Sequence, residues 1–98
     1  MFLILLKYTA GLDIVNEHVE AHRTYLDRYY AQGKFICSGA QIPRKGGVIL
    51  CNSRSREEVQ RIINQDPFHI HGAAEYEIIE FAPTKCAEAF EPFITGKI

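Results

Sequence analysis

Two side chains of this 98-residue chain have the types and settings needed to move a proton: His22 and Asp66. Asp66 opens the stretch Asp66-Pro67-Phe68-His69, between a helical pattern and the last strand-like run. The residue before a proline is pushed out of the α region, and proline has no N–H for the helical ladder, so the chain must turn here. Phe68 can pin that turn to the core, which leaves a carboxylate and an imidazole aimed at a cleft. The plain alternative is that Asp66 ends a helix and Pro67 stops it. His22 lies far upstream, on the apolar stripe of the first helix with Val19 and Leu26. A histidine there is either a core residue satisfied by one hydrogen bond or a base. A carboxylate that accepts the N–H of one ring nitrogen fixes the tautomer and raises the basicity of the other, which is the ordinary construction of a general base.

Other groups could hold a substrate beside that pair. Ser38-Gly39 closes a strand, where a hydroxyl and backbone N–H groups either contact a ligand or form a plain turn. Arg44, in a glycine-rich loop, either pairs with an anionic substrate or stays solvated. With Phe68 and His69, these residues form the expected substrate-contact set. Tyr8, Tyr25 and Tyr76 can line an aromatic pocket, although core packing accounts for them equally simply. In His18-Val19-Glu20-Ala21-His22 the glutamate falls in the middle of the spacing, which matches neither order of the zincin motif and argues against a metalloprotease. His18 then reads as a solvated side chain near the helix start. His69, His71 and Asp66 together could hold a divalent ion for metal-assisted hydrolysis. The reading adopted assigns no metal and no cofactor.

These groups need elements to position them. Phe2 to Tyr8 is an apolar run with one lysine, which reads as a central strand buried on both faces. Asp13 is a fitting N-cap for a helix of about five turns, with Val15, Val19, His22, Leu26 and Tyr29 on its apolar face and Gly33 at its end. Phe35 to Ser38 and Val48 to Cys51 read as a hairpin around the turn-rich segment that holds Pro43 and Gly46-Gly47. Ser55-Arg56-Glu57-Glu58 has the spacing of a capping box and opens a second helix with Val59, Ile62 and Ile63 inside. Ala74 to Phe81 is the last strand. Its alternation changes phase at Ile79 and Phe81, which calls for a bulge or for a second subunit over the other face. The order is β-α-β-β-α-β, the split arrangement of α+β ferredoxin-like folds, with one antiparallel sheet and two helices on one face. Two such sheets packed face to face would hide the bare side and form a dimeric α/β barrel.

The composition agrees with a single domain over residues 1–98, in which 83–98 forms an irregular C-terminal arm that can cross to a partner. A chain this short gains from a homodimer, which covers apolar surface that one copy must expose. With 47% hydrophobic residues, 23% charged residues and a net charge of −1, it lacks the basic excess of a nucleic-acid binder. The middle strand Gly47-Val48-Ile49-Leu50-Cys51 also lacks the basic and stacking residues of an RNA-recognition sheet. The apolar N-terminus is too short to span a bilayer and has no basic leader, so neither a membrane partner nor export is expected. Cys37, Cys51 and Cys86 are widely separated, as expected of buried, reduced thiols in a cytoplasmic protein.

Ala21-His22 with Tyr25-Leu26, Ser38-Gly39-Ala40-Gln41 with Pro43, Gly46-Gly47-Val48-Ile49, Asp66-Pro67-Phe68, and Gly72-Ala73-Ala74-Glu75-Tyr76 running into Phe81-Ala82-Pro83 together resemble the YciI-like (YCII-related) family. The resemblance covers nearly the whole chain. It implies a ferredoxin-like protomer in a dimeric α/β barrel, and an active site built on a His and Asp pair that falls here on His22 and Asp66. It also implies proton chemistry without a cofactor, as in related dehydrochlorinases and isomerases. The chain departs from the family pattern at His71-Gly72-Ala73, where an Ala-Gly-Leu stretch is usual, and in carrying His69. The expectation is a cofactor-independent lyase or isomerase acting on a small cyclic or carbonyl substrate. The other reading keeps the fold but makes it a non-catalytic dimeric ligand-binding or accessory module, with His22 and Asp66 as a buried structural pair.

Overall fold

The apolar N-terminal run becomes β1 (Phe2–Tyr8), and in the computed structural model, which describes residues 1–94, it takes an inner place in a four-stranded sheet. The other strands are β2 (Phe35–Ala40), β3 (Gly46–Cys51) and β4 (Ala74–Glu80), in the spatial order β2-β3-β1-β4. Every neighbouring pair is antiparallel. The last four residues of the expected arm lie outside the described residues. The rest of that arm is not wholly irregular, since Glu88–Phe93 winds into a 3₁₀ helix.

Side chains alternate across a strand, so the register assigns each face. Phe2, Ile4 and Leu6 point to the helices and keep 2% or less of their surface exposed. Leu3 and Leu5 point the other way and are only half-buried. The expectation that this strand is covered on both faces therefore fails within one copy of the chain. Leu3 sits opposite Leu50 and Ile79, and Leu5 opposite Val48, which makes the bare face an apolar stripe. The β1–β4 register runs without interruption from Phe2↔Glu80 to Tyr8↔Ala74, so no bulge explains the phase change in β4. Ile79 and Phe81 simply stand exposed. The sheet's irregularity lies in β2 instead, between Phe35 and Cys37.

The first helical pattern divides into α1 (Leu12–Glu17) and α2 (Val19–Ala31), joined at His18. The His18 N–H bonds back to Val15 rather than four residues back, which tightens the last turn and turns the chain. Gly11, not Asp13, is the N-cap, and Asp13 lies in the first turn, where its charge still faces the positive helix end. Gly33 ends α2 with φ +73°, the left-handed conformation that glycine adopts at little cost. The stripe on α2 is rotated from the expected one: Tyr25 and Tyr29 enter the core beside Val15, while Val19 and Leu26 lie at its margin.

The second helical pattern also divides. Ser55 caps α3 (Arg56–Asn64) by accepting the Glu58 N–H at 3.1 Å, as its spacing predicts. The reciprocal half of the capping box is absent, because the Glu58 carboxylate accepts from the Ser53 hydroxyl and the Lys34 ammonium instead. Pro67 does not merely stop a helix. It is the first residue of a new short helix, α4 (Pro67–Ile70), and Asp66 is its N-cap. Proline suits that first position, where its missing N–H costs nothing. At the start of β3, Gly46 lies so close to β1 that a Cβ would meet the Leu6 carbonyl oxygen at 1.8 Å, so no other residue fits. That contact fixes the hairpin carrying Arg44 against β1.

Candidate functional site

A cleft of about 420 Å³ opens between α2 and the sheet, and its walls include His22, Ser38, Gly39, Arg44 and Phe68. Five residues expected to act together thus reach one place from α2, β2, the β2–β3 loop and α4. His69 does not join them. It lines a separate recess with Gln60, Ile63 and Tyr76, and its ring lies 5.7 Å from that of Tyr76.

Asp66 stands behind His22 with no exposed surface. Its Oδ1 accepts from His22 Nδ1 at 2.7 Å and from the Phe68 N–H at 3.0 Å, and its Oδ2 accepts from the Tyr76 hydroxyl at 2.6 Å. An ionised carboxylate only accepts hydrogen bonds, so His22 Nδ1 carries the proton and the lone pair resides on Nε2. The His22 side chain is 15% exposed, so the ring edge away from Asp66 can be reached from the cleft. Phe68 stacks on the imidazole at 4.2 Å and 17°, and Tyr8 meets Phe68 edge-on at 5.9 Å. The ring is thereby held by a hydrogen bond at one edge and an aromatic face. Burial first, and then the Asp66 charge, push the Tyr76 hydroxyl well above its usual pKa, so it stays a neutral donor.

Several contributions were not foreseen from sequence. Tyr76, expected only as a pocket or core aromatic, instead donates its hydroxyl to Asp66 Oδ2, a pairing that local spacing does not set. Tyr30 reaches over to the Ser38 hydroxyl at 2.6 Å. Asn16 accepts from Arg44 Nη2 at 2.8 Å, and Arg23 lines the cleft beside it. Asn16 and Arg23 fall three and four residues from Val19 of the expected apolar face, a spacing that made them readable as neighbours on the cleft wall. Arg44 also lies 5.8 Å above the Tyr8 ring centroid.

The other titratable groups go elsewhere. His18 is not simply solvated: its ring lies flat on His71 at 4.1 Å and 8°. Asp66 is committed to His22, Phe68 and Tyr76, so His69, His71 and Asp66 form no ligand set. Among the described residues, no group of three or more His, Cys, Asp or Glu is placed to hold a metal. All three cysteines are free, and only Cys51 is buried; Cys37, expected inside, is exposed on the bare sheet face. Burial, helped by Glu58, pushes the Cys51 thiol up to about 11, which leaves it a poor nucleophile. Among the described residues, no helix is long and apolar enough to cross a membrane.

A family model described as the YCII-related domain matches residues 1–82. No curated protein sequence matches the chain. Among solved structures, the chain is similar to a 5-chloro-2-hydroxyhydroquinone dehydrochlorinase from Burkholderia phenoliruptrix AC1100, in complex with 2,5-dihydroxybenzoquinone. The two superpose with a TM-score of 0.73 at 23% identity, over 82% of this chain and 91% of the other. That likeness is one of fold, and it agrees with the α+β ferredoxin-like arrangement described above.

Proposed function

The chain belongs to the YCII-related domain family, and from that premise and the cleft geometry we propose a cofactor-independent lyase or isomerase that works by general acid–base chemistry on a small cyclic or carbonyl compound. The observation that carries the reading is the 2.7 Å bond between His22 Nδ1 and buried Asp66, with the opposite ring edge toward the cleft. His22 Nε2 takes a proton from a hydroxyl or an activated carbon of the substrate. The freed electron pair moves into the ring system and leaves with a departing anion in a lyase. In an isomerase, a second carbon takes the proton back from the imidazolium. Asp66 holds the imidazole in the useful tautomer and stabilises the imidazolium that forms. Ser38, Gly39, Arg44 and Phe68 hold the substrate. The similar fold of an enzyme that dechlorinates a hydroxylated ring, bound to a hydroxylated benzoquinone, supports this substrate class. A cleft of about 420 Å³ suits a compound of that size.

We assign the working form to a homodimer in a reducing cytoplasm. The apolar sheet face and the three free thiols support that assignment. The test is a screen of chlorinated, hydroxylated and enolisable cyclic compounds for chloride release or proton exchange. His22→Ala is expected to lower turnover by about 10²–10⁴-fold while the chain stays folded, with a lower melting temperature because buried Asp66 loses one of its donors. Turnover retained in His22→Ala would remove His22 as the base.

One observation favours the non-catalytic reading. Asp66 caps α4 and anchors Tyr76 as well as His22, so it has structural work in either case. A binding or accessory module predicts that Asp66→Asn costs stability and that no compound in the screen is turned over.

A further inference from the structure

The cleft carries an unbalanced charge. Its walls hold two guanidinium groups, Arg23 and Arg44, with the His22 ring and the Ser38 hydroxyl, and no carboxylate. The chain as a whole has 12 acidic against 11 basic residues, so the imbalance is local. Asp66 is fully buried behind His22 and is not part of the cleft wall, so its carboxylate meets no ligand there and pairs with neither arginine. Among the described residues the contacts between acidic and basic side chains are His22–Asp66 and Lys34–Glu58, and neither arginine takes part in them. Arg44 is nevertheless anchored, by the Asn16 side-chain oxygen at 2.8 Å and by the Tyr8 ring at 5.8 Å. Those anchors are neutral. They fix the guanidinium in place while leaving its charge and most of its donors for another partner.

The remaining walls are apolar or aromatic: Leu6, Val19, Leu26 and Ile49, with the Phe68 ring stacked on His22. Such walls suit a flat ring, and the two guanidinium groups suit a negative charge on it. We infer that the cleft selects a planar ring that is already an anion when it binds, with its ionised oxygen toward Arg44 and Arg23. This inference deepens the proposed function and rests on reading the cleft as its substrate site. It also gives the arginines a part in the chemistry. When His22 removes a proton from an anionic ring, a second negative charge develops, and the anchored Arg44 guanidinium, with Arg23 on the same wall, stabilises it until the leaving group carries charge away.

Binding, measured apart from turnover, tests this. Titration calorimetry on the whole chain, wild type and His22→Ala, would use three probes. The first is 2,5-dihydroxybenzoquinone, a vinylogous acid ionised at neutral pH; the second is its uncharged 2,5-dimethoxy counterpart; the third is benzoate. The charged quinone is expected to bind at least about tenfold more tightly than the dimethoxy compound, and to weaken as salt is added. Arg44→Gln and Arg23→Gln should each lower its affinity about tenfold and leave the neutral ring unaffected. Arg44→Lys, which keeps the charge but not the fork, should recover part of the loss. Benzoate binding with the same arginine dependence would extend the site to ring carboxylates; benzoate left unbound would restrict it to ionised ring oxygens. The inference is overturned if the neutral quinone binds as tightly as the charged one, or if both Gln variants bind the anion like wild type. Anion binding without any turnover would instead sink the general-base reading and leave the anion site standing.

Discussion

Asp66 satisfies three donors with two oxygens and no exposed surface, which determines how the loss of each partner is felt. Asp66→Asn keeps the shape and an acceptor for the Phe68 N–H, but removes the charge that, in the proposed mechanism, steadies an imidazolium. Turnover of any substrate found is expected to fall about 10²–10⁴-fold, well beyond the change in stability, when steady-state kinetics are compared with thermal melts. Tyr76→Phe acts differently. It touches neither His22 nor the cleft wall, but it leaves a buried carboxylate oxygen without its donor, at a cost of about 1–3 kcal/mol. In a domain of this size that lowers the melting temperature by roughly 4–8 °C per kcal/mol. A Tyr76→Phe melt coincident with wild type would mean that Asp66 does not depend on this hydroxyl.

The Lys34, Ser53 and Glu58 side chains join the start of β2 to the first turn of α3. The Ser53 hydroxyl first, and then Lys34, hold the Glu58 carboxyl below its ordinary pKa. A depressed folded-state value stabilises the fold above the ordinary carboxylate range, and that contribution disappears as pH falls through the depressed value. Urea unfolding of Glu58→Gln should therefore show a loss at neutral pH, below about 1 kcal/mol because the pair is partly exposed, that vanishes in acid. An equal loss at both pH values would assign the effect to packing. This clamp also marks the limit of what sequence patterns disclose. Ser55 was legible as a cap because its partner lies three residues away, whereas the Glu58 carboxylate turned to Lys34 and Ser53, which no capping pattern anticipates. The four strands and their order were legible in the same local way, from apolar runs and turn residues. The break at His18 was not, since the apolar spacing continues through it and the stack on His71 is a long-range contact. Bringing Asp66 onto His22 needed both helices on one sheet face, which the element order supplied. Its bond to Tyr76 is one that local spacing does not encode.

At the scale of the whole molecule, the unresolved demand is the bare sheet face. Leu3, Leu5, Val48 and Leu50 are half-buried there, and Ile79 and Phe81 stand 41% and 44% exposed. Leu3 lies in register with Leu50 and Ile79, and Leu5 with Val48, with Phe81 just past the end of β4 and Glu77 bounding the patch opposite Leu5, an arrangement unlike the scattered exposed leucines that any soluble protein tolerates. The helices already occupy the opposite face, and Pro83 and Pro92 limit how far the C-terminal segment could pair as a further strand. A second copy presents the same patch, and a two-fold pairing satisfies both at once. Sedimentation velocity at micromolar concentration is expected to show a dimer. Ile79→Lys places a charge on the β4 side of the patch, beside Leu3, without touching the His22 side of the sheet, and should yield monomers with a lower melting temperature. A wild-type chain that sediments as a monomer would leave the apolar stripe without this explanation. A dimer unaffected by Ile79→Lys would place the contact on another surface.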